Sequence, residues 1–112
     1  MVTAGLNMAI REVLEEELQN SLRMEQRYSE ALAKLPKGSL VRKIVKGRPY
    51  NYLVMRDEAG KVKLVYKGVV APEEIAHYQQ IKEQRLQYRR LRAKAREQIR
   101  FIRRALRAKS AV

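Results

Sequence analysis

The sequence contains no cysteine, so disulfides and thiolate-bound metal sites are excluded and the fold has to hold by packing alone. Its single histidine, His77, has no second metal ligand and no serine–histidine arrangement around it, and no glycine-rich loop runs into a lysine and a hydroxyl residue. The carboxylates Glu15–Glu17, Asp57-Glu58 and Glu73-Glu74 are neighbours in sequence; they read as solvated charge, turn chemistry and a helix start. No catalysis, metal or cofactor is therefore expected. Aliphatic runs reach only three residues, as in Leu53-Val54-Met55, against the roughly 20 needed to cross a bilayer, so no membrane span is expected. The N-terminus lacks a basic start followed by an apolar stretch and turns acidic by Glu12, which points to a cytoplasmic protein without a targeting signal. Tryptophan is absent as well, leaving six tyrosines as nearly all of the aromatic content.

Acidic residues are scarce. There are 12 against 25 lysines and arginines, for a net charge of +13 on 112 residues, a length that suits a single domain over residues 1–112. Divided along the chain, residues 1–35 carry −2, residues 36–70 carry +7 and residues 71–112 carry +8. So small and basic a surface has a polyanion as its natural partner, because clustered cations release the counterions condensed on a phosphate backbone.

Apolar residues recur at helical spacing from Leu6 to Leu35, through Ile10, Leu14, Leu18, Leu22, Tyr28 and Leu32, which predicts an amphipathic helix over residues 6–35. Leu35-Pro36-Lys37-Gly38 ends it, since proline disfavours helical backbone in the residue before it and has no amide hydrogen to donate. Three runs rich in valine, isoleucine and tyrosine follow, Leu40–Lys46, Pro49–Asp57 and Val62–Gly68. They predict an antiparallel meander over residues 39–68, turning at Lys46-Gly47 and at Glu58-Ala59-Gly60. Ala71-Pro72-Glu73-Glu74 opens a second helix, expected over residues 72–108, with an apolar stripe of Ile81, Tyr88, Leu91, Ala95, Ile99, Ile102 and Leu106 that suits a coiled-coil-like seam. The expected fold is α+β in the order α-β-β-β-α. At 1.5 Å per residue the second helix would measure roughly 55 Å, against about 23 Å for a seven-residue strand. Both helices are thus expected to overhang the sheet and pair antiparallel, with Glu15–Glu17 near the level of Arg89, Arg90 and Arg92.

Strand alternation groups Tyr50, Tyr52 and Val54 with Val62, Leu64 and Tyr66 as the face expected to meet a helix. The other face is expected to carry Lys43, Asn51, Lys61, Lys63 and Lys67 among Val41, Val45, Leu53, Met55 and Val65. That second face, with Arg42 and Arg48, is the first candidate site: a β-ribbon fits the major groove, where asparagine pairs with adenine and cations with guanine or phosphate. The second candidate is the run from Arg85 through Lys109, where Arg89, Arg92, Arg96, Arg100 and Arg103 space planar phosphate-binding groups along a helix, as do Arg90, Arg104 and Arg107. Each has a plainer reading. Lysines decorate any solvated sheet face, helical arginines pair with an acidic neighbouring helix, and tyrosines facing a helix are core before they are platforms for bases. The expected activity is non-enzymatic nucleic-acid binding, DNA before RNA, in an accessory or regulatory role. The alternative is a protein-interaction module that binds a partner helix or a second copy of itself through the long helices, as an antitoxin or complex subunit would.

The stretch Leu35-Pro36-Lys37-Gly38-Ser39-Leu40-Val41, with Lys46-Gly47-Arg48-Pro49-Tyr50-Asn51-Tyr52-Leu53 and Gly60-Lys61-Val62-Lys63-Leu64-Val65-Tyr66-Lys67-Gly68, resembles a family of small uncharacterised prokaryotic proteins. Their pattern is a PKGSL start, a tyrosine-rich second strand, a third strand of the KV…Y.G type and a charged helix. The resemblance covers about half the chain and implies the meander-then-helix order without an activity. More loosely, three strands followed by a helix are similar to the arm-binding N-terminal domain of tyrosine recombinases, which lays its sheet in the major groove. That similarity implies Lys43, Asn51, Lys61 and Lys63 at the DNA.

Overall fold

In a computed structural model, which describes the backbone of residues 2–110 and the side chains of residues 9–108, the chain forms α1 (Val2–Lys34), β1 (Ser39–Val45), β2 (Arg48–Arg56), β3 (Val62–Gly68) and α2 (Pro72–Ser110). The order is α-β-β-β-α, with one three-stranded antiparallel sheet ordered β1-β2-β3. The side chains of Leu6 and Lys109 lie outside the described residues. The chain divides into two compact units, one of α1 and the part of α2 from Gln87 onward, the other spanning Lys34–Leu86.

In the first unit the two helices pack against each other, and the burial follows the apolar spacing. Ala95, Ile99 and Ile102 of α2 are buried, Tyr88, Leu91 and Leu106 half-buried, as are Leu14, Leu18, Leu22, Tyr28 and Leu32 of α1. Ile10, expected in that stripe, is exposed. Three contacts set the antiparallel level: Arg11 Nη1 donates to the Leu106 carbonyl at 3.4 Å, Arg96 Nε meets Glu25 Oε1 at 3.1 Å, and the rings of Tyr28 and Tyr88 lie 6.4 Å apart. By these contacts Ser21, 2% exposed, and Ala95, 4% exposed, fall at about the same level of the pair. This pairing corrects the expected charge match. Glu15–Glu17 stand level with the region of Arg100 to Arg104, and Arg89 to Arg92 stand level with the stretch of α1 from Glu25 to Glu30.

In the second unit the β1–β2 turn is the two-residue Lys46-Gly47 hairpin. Lys46 (φ 52°) and Gly47 (φ 78°) both adopt positive φ, the requirement of a twist-matched turn, which glycine meets without Cβ strain and lysine does not. The β2–β3 turn is held by Gly60 N donating to the Asp57 carbonyl, by Asp57 N donating to the Lys61 carbonyl (both 2.9 Å) and by Lys61 N donating to Asp57 Oδ1 at 2.8 Å. At the start of α2 the Ala71 carbonyl accepts from Glu74 N and Ile75 N, so Pro72 takes the first helical position and the two glutamates sit at the positive end of the dipole.

The face that meets the helix is the reverse of the expected one. Asn51 and Leu53 are buried, and Leu40, Arg42 and Asn51 share the wall of a cleft of about 240 Å³ with Ile75, Tyr78 and Lys82 of α2. The helix start therefore lies on the Asn51 side, with Val70 and Ile81 buried in the same unit. Gly38 belongs to this packing: a Cβ there would stand 3.0 Å from Leu53 Cδ1, and its φ of 104° is open to glycine alone without strain.

Candidate nucleic-acid interface

Register decides which cations share a face. The two-residue turn pairs odd-numbered residues of β1 with even-numbered residues of β2, so Lys43 stands opposite Tyr50, Val41 opposite Tyr52 and Val45 opposite Arg48. Directly paired residues of an antiparallel sheet point the same way. Lys43, Val41 and Val45 thus belong with the tyrosines, a correction to the grouping read from the sequence, whereas Arg42, opposite Asn51, belongs to the helix-covered side. Between β2 and β3 the pairs are Leu53 with Val65 and Met55 with Lys63, so Lys63 keeps its expected side.

Asn51 does not present itself to a ligand. It is 4% exposed, and its Nδ2 donates to the Gly68 carbonyl at 3.0 Å, across a register irregularity between Asn51 and Tyr52 that leaves Lys67 as the extra residue of β3. The adenine-reading role expected of it is corrected to a structural one: its amide satisfies a buried carbonyl at the bulge. Asn51→Leu, which keeps the branched heavy-atom skeleton and removes the donor, is expected to destabilise the sheet unit by about 1–3 kcal/mol, measured by urea denaturation. A change below about 0.5 kcal/mol would show that the bond carries no weight.

The remaining sheet candidates are spread out. Arg48 is exposed at the start of β2, Lys61 follows the second turn and Lys67 is exposed at the bulge. Lys63 lines a cleft whose wall also includes Asp57 and Glu58, so part of its field is cancelled locally. Arg56, passed over in the sequence, ends β2 and donates from Nη1 to the Gly60 carbonyl at 3.0 Å. The 23 residues of the three strands hold six cations, Arg42, Lys43, Arg48, Arg56, Lys63 and Lys67, and no acid.

The tyrosine face is open. Tyr66 is 58% exposed, with Val41, Val45, Val62 and Leu64 exposed and Tyr50 and Tyr52 half-buried. Tyr66 lies 5.4 Å from Tyr52, edge to face, and 6.2 Å from Tyr50, while Lys43 Nζ sits 5.4 Å from the centre of the Tyr52 ring. The signal for this arrangement was the odd–even pairing imposed by a two-residue turn, which the sequence carries in Lys46-Gly47.

The arginines of α2 fall into two groups. Arg85 Nη2 donates to the Pro36 carbonyl at 2.7 Å and Arg96 is paired with Glu25, so these two have partners within the fold, and Arg92 is half-buried. Arg89 and Arg90 are exposed, and Arg100, Arg103, Arg104 and Arg107 are exposed and alone line a cleft of about 380 Å³. Among the described residues the ion pairs are Arg11 with Glu15 and Arg96 with Glu25, which leaves those four guanidinium groups facing water.

Other chemistry finds little to build on. His77 is exposed on α2 with its ring 6.1 Å from that of Tyr78. Among the described residues no group of three His, Cys, Asp or Glu side chains is placed to hold a metal ion, and no helix is long and apolar enough to cross a membrane. No family model matches the chain, and no curated protein or solved structure is significantly similar to it.

Proposed function

We propose that the protein is a non-enzymatic nucleic-acid-binding factor, acting on DNA before RNA, that grips phosphate through the exposed arginines of α2 and the acid-free sheet. The observation that carries this reading is the cleft lined by Arg100, Arg103, Arg104 and Arg107, four like charges brought together with no carboxylate in its wall. Gathering cations costs self-repulsion in the free protein and is repaid when an anionic backbone neutralises them. Guanidinium groups suit the task because they present paired donors to phosphate oxygens and remain charged at any physiological pH. The test is a salt titration with labelled duplex DNA and with RNA of equal length. Affinity should fall linearly on a log–log plot against salt, with a slope near −0.9 per phosphate neutralised on duplex DNA. Undetectable binding to both at low salt would end the proposal.

A second reading has its own support in Ile10, Val13 and Met24 of α1 and Phe101 of α2, apolar side chains exposed on the helical pair. A partner helix or a second copy of the chain would cover them. Sedimentation at micromolar concentration separates the two: a stable dimer lost on Phe101→Glu, together with salt-independent behaviour, would favour the interaction module.

A further inference from the structure

We infer that the open tyrosine face of the sheet is a stacking platform for unpaired bases, so that the ligand at this surface is single-stranded nucleic acid. The inference rests on the nucleic-acid reading above and narrows it to a second site with its own ligand class. Tyr66, more than half of it in water, has its ring 5.4 Å from that of Tyr52 and 6.2 Å from that of Tyr50, and Val41, Val45, Val62 and Leu64 are exposed on the same face. A base has a π-face and apolar breadth to match, whereas the bases of a duplex are stacked inside and can present only their edges. The one amide on the sheet able to read such an edge, that of Asn51, is buried on the other side and bonded to Gly68.

Charge complementarity picks a nucleic acid over a protein for this floor. Lys43 stands over Tyr52, Arg48 lies in register with the same face, and none of the strand residues is acidic. A solvent-facing apolar floor beside cations is the arrangement in which aromatic side chains hold the bases and ammonium and guanidinium groups follow the backbone. The arginine cleft of α2 has the opposite character: its walls are guanidinium groups without an aromatic ring, suited to phosphate of any strand state.

The experiment compares a labelled 12-nucleotide oligo-dT with a mixed-sequence duplex of the same length, at one low salt concentration, for the intact protein and two variants. Tyr66→Leu keeps an apolar side chain but has no ring; Tyr66→Phe keeps the ring and drops the hydroxyl. Tyr66→Leu is expected to weaken oligo-dT binding by about five- to one-hundred-fold and to leave duplex binding within about twofold, with Tyr66→Phe close to the parent. Because the chain has no tryptophan, quenching of tyrosine emission by oligo-dT, reduced in Tyr66→Leu, reads the stacking directly. Unchanged oligo-dT affinity in Tyr66→Leu overturns the platform while leaving nucleic-acid binding intact, and equal losses in both variants would trace the effect to the hydroxyl and overturn it too. Binding of neither probe by the parent protein removes the broader proposal as well. A parent dimer that becomes monomeric in Tyr66→Leu would assign the face to a second copy of the chain.

Discussion

Ile99→Ala is expected to destabilise the helical pair by about 2–5 kcal/mol. Ile99 is 3% exposed, and Ala95 and Ile102, four residues before it and three after, are buried on the same stripe. Truncation removes three carbons from a buried site, and the cavity left behind adds to the lost transfer free energy because a close-packed interior relaxes only in part. In thermal denaturation followed by helical circular dichroism, the transition of this unit should move down by roughly 10 °C or more. Arg100→Gln, one residue on and pointing into water, serves as the control and should stay within about 0.5 kcal/mol of the parent. Equal stability of the two variants would mean that the stripe does not form the core of the pair.

The other large effect concerns affinity. Replacing Arg100, Arg103, Arg104 and Arg107 together by glutamine removes four charges and leaves the helix intact, since all four are exposed and glutamine is a good helix former. If each of the four neutralises one phosphate, the log–log salt slope on duplex DNA should become shallower by about 3–4, and affinity at low salt should drop by at least about a hundredfold. Circular dichroism should be unchanged. A slope that stays the same would remove this cleft from the interface and leave the sheet to account for binding alone.

Element order was legible in the sequence because each signal was local. Proline at Pro36 and Pro72, the Lys46-Gly47 turn and the heptad-like spacing from Tyr88 to Leu106 act through backbone stereochemistry and helical periodicity, which need no knowledge of distant partners. The covered face of the sheet was not legible, for two reasons. Tyr50, Tyr52 and Tyr66 look like core by ring size and strand alternation, yet each has a hydroxyl that water satisfies, so the face tolerates exposure. Asn51 looks like surface, yet its amide finds the Gly68 carbonyl and can be buried without loss. The candidate site divided along the same line. Exposed arginines could be named from composition and helical spacing, but the assignment of Arg85 and Arg96 to structural partners depends on Pro36 and Glu25, residues some 50 and 70 positions away.

The Asn51–Gly68 bond has a consequence for the fidelity of folding. Side chains of a strand alternate, so a slip of one residue in the pairing of β3 would exchange its two faces. Lys63, Val65 and Lys67 would then take the places of Val62, Leu64 and Tyr66, and the outermost ring would turn toward the helix. By holding one carbonyl at the bulge, a single buried amide favours one register over its neighbour, and with it the choice between an aromatic outer surface and a lysine-lined one.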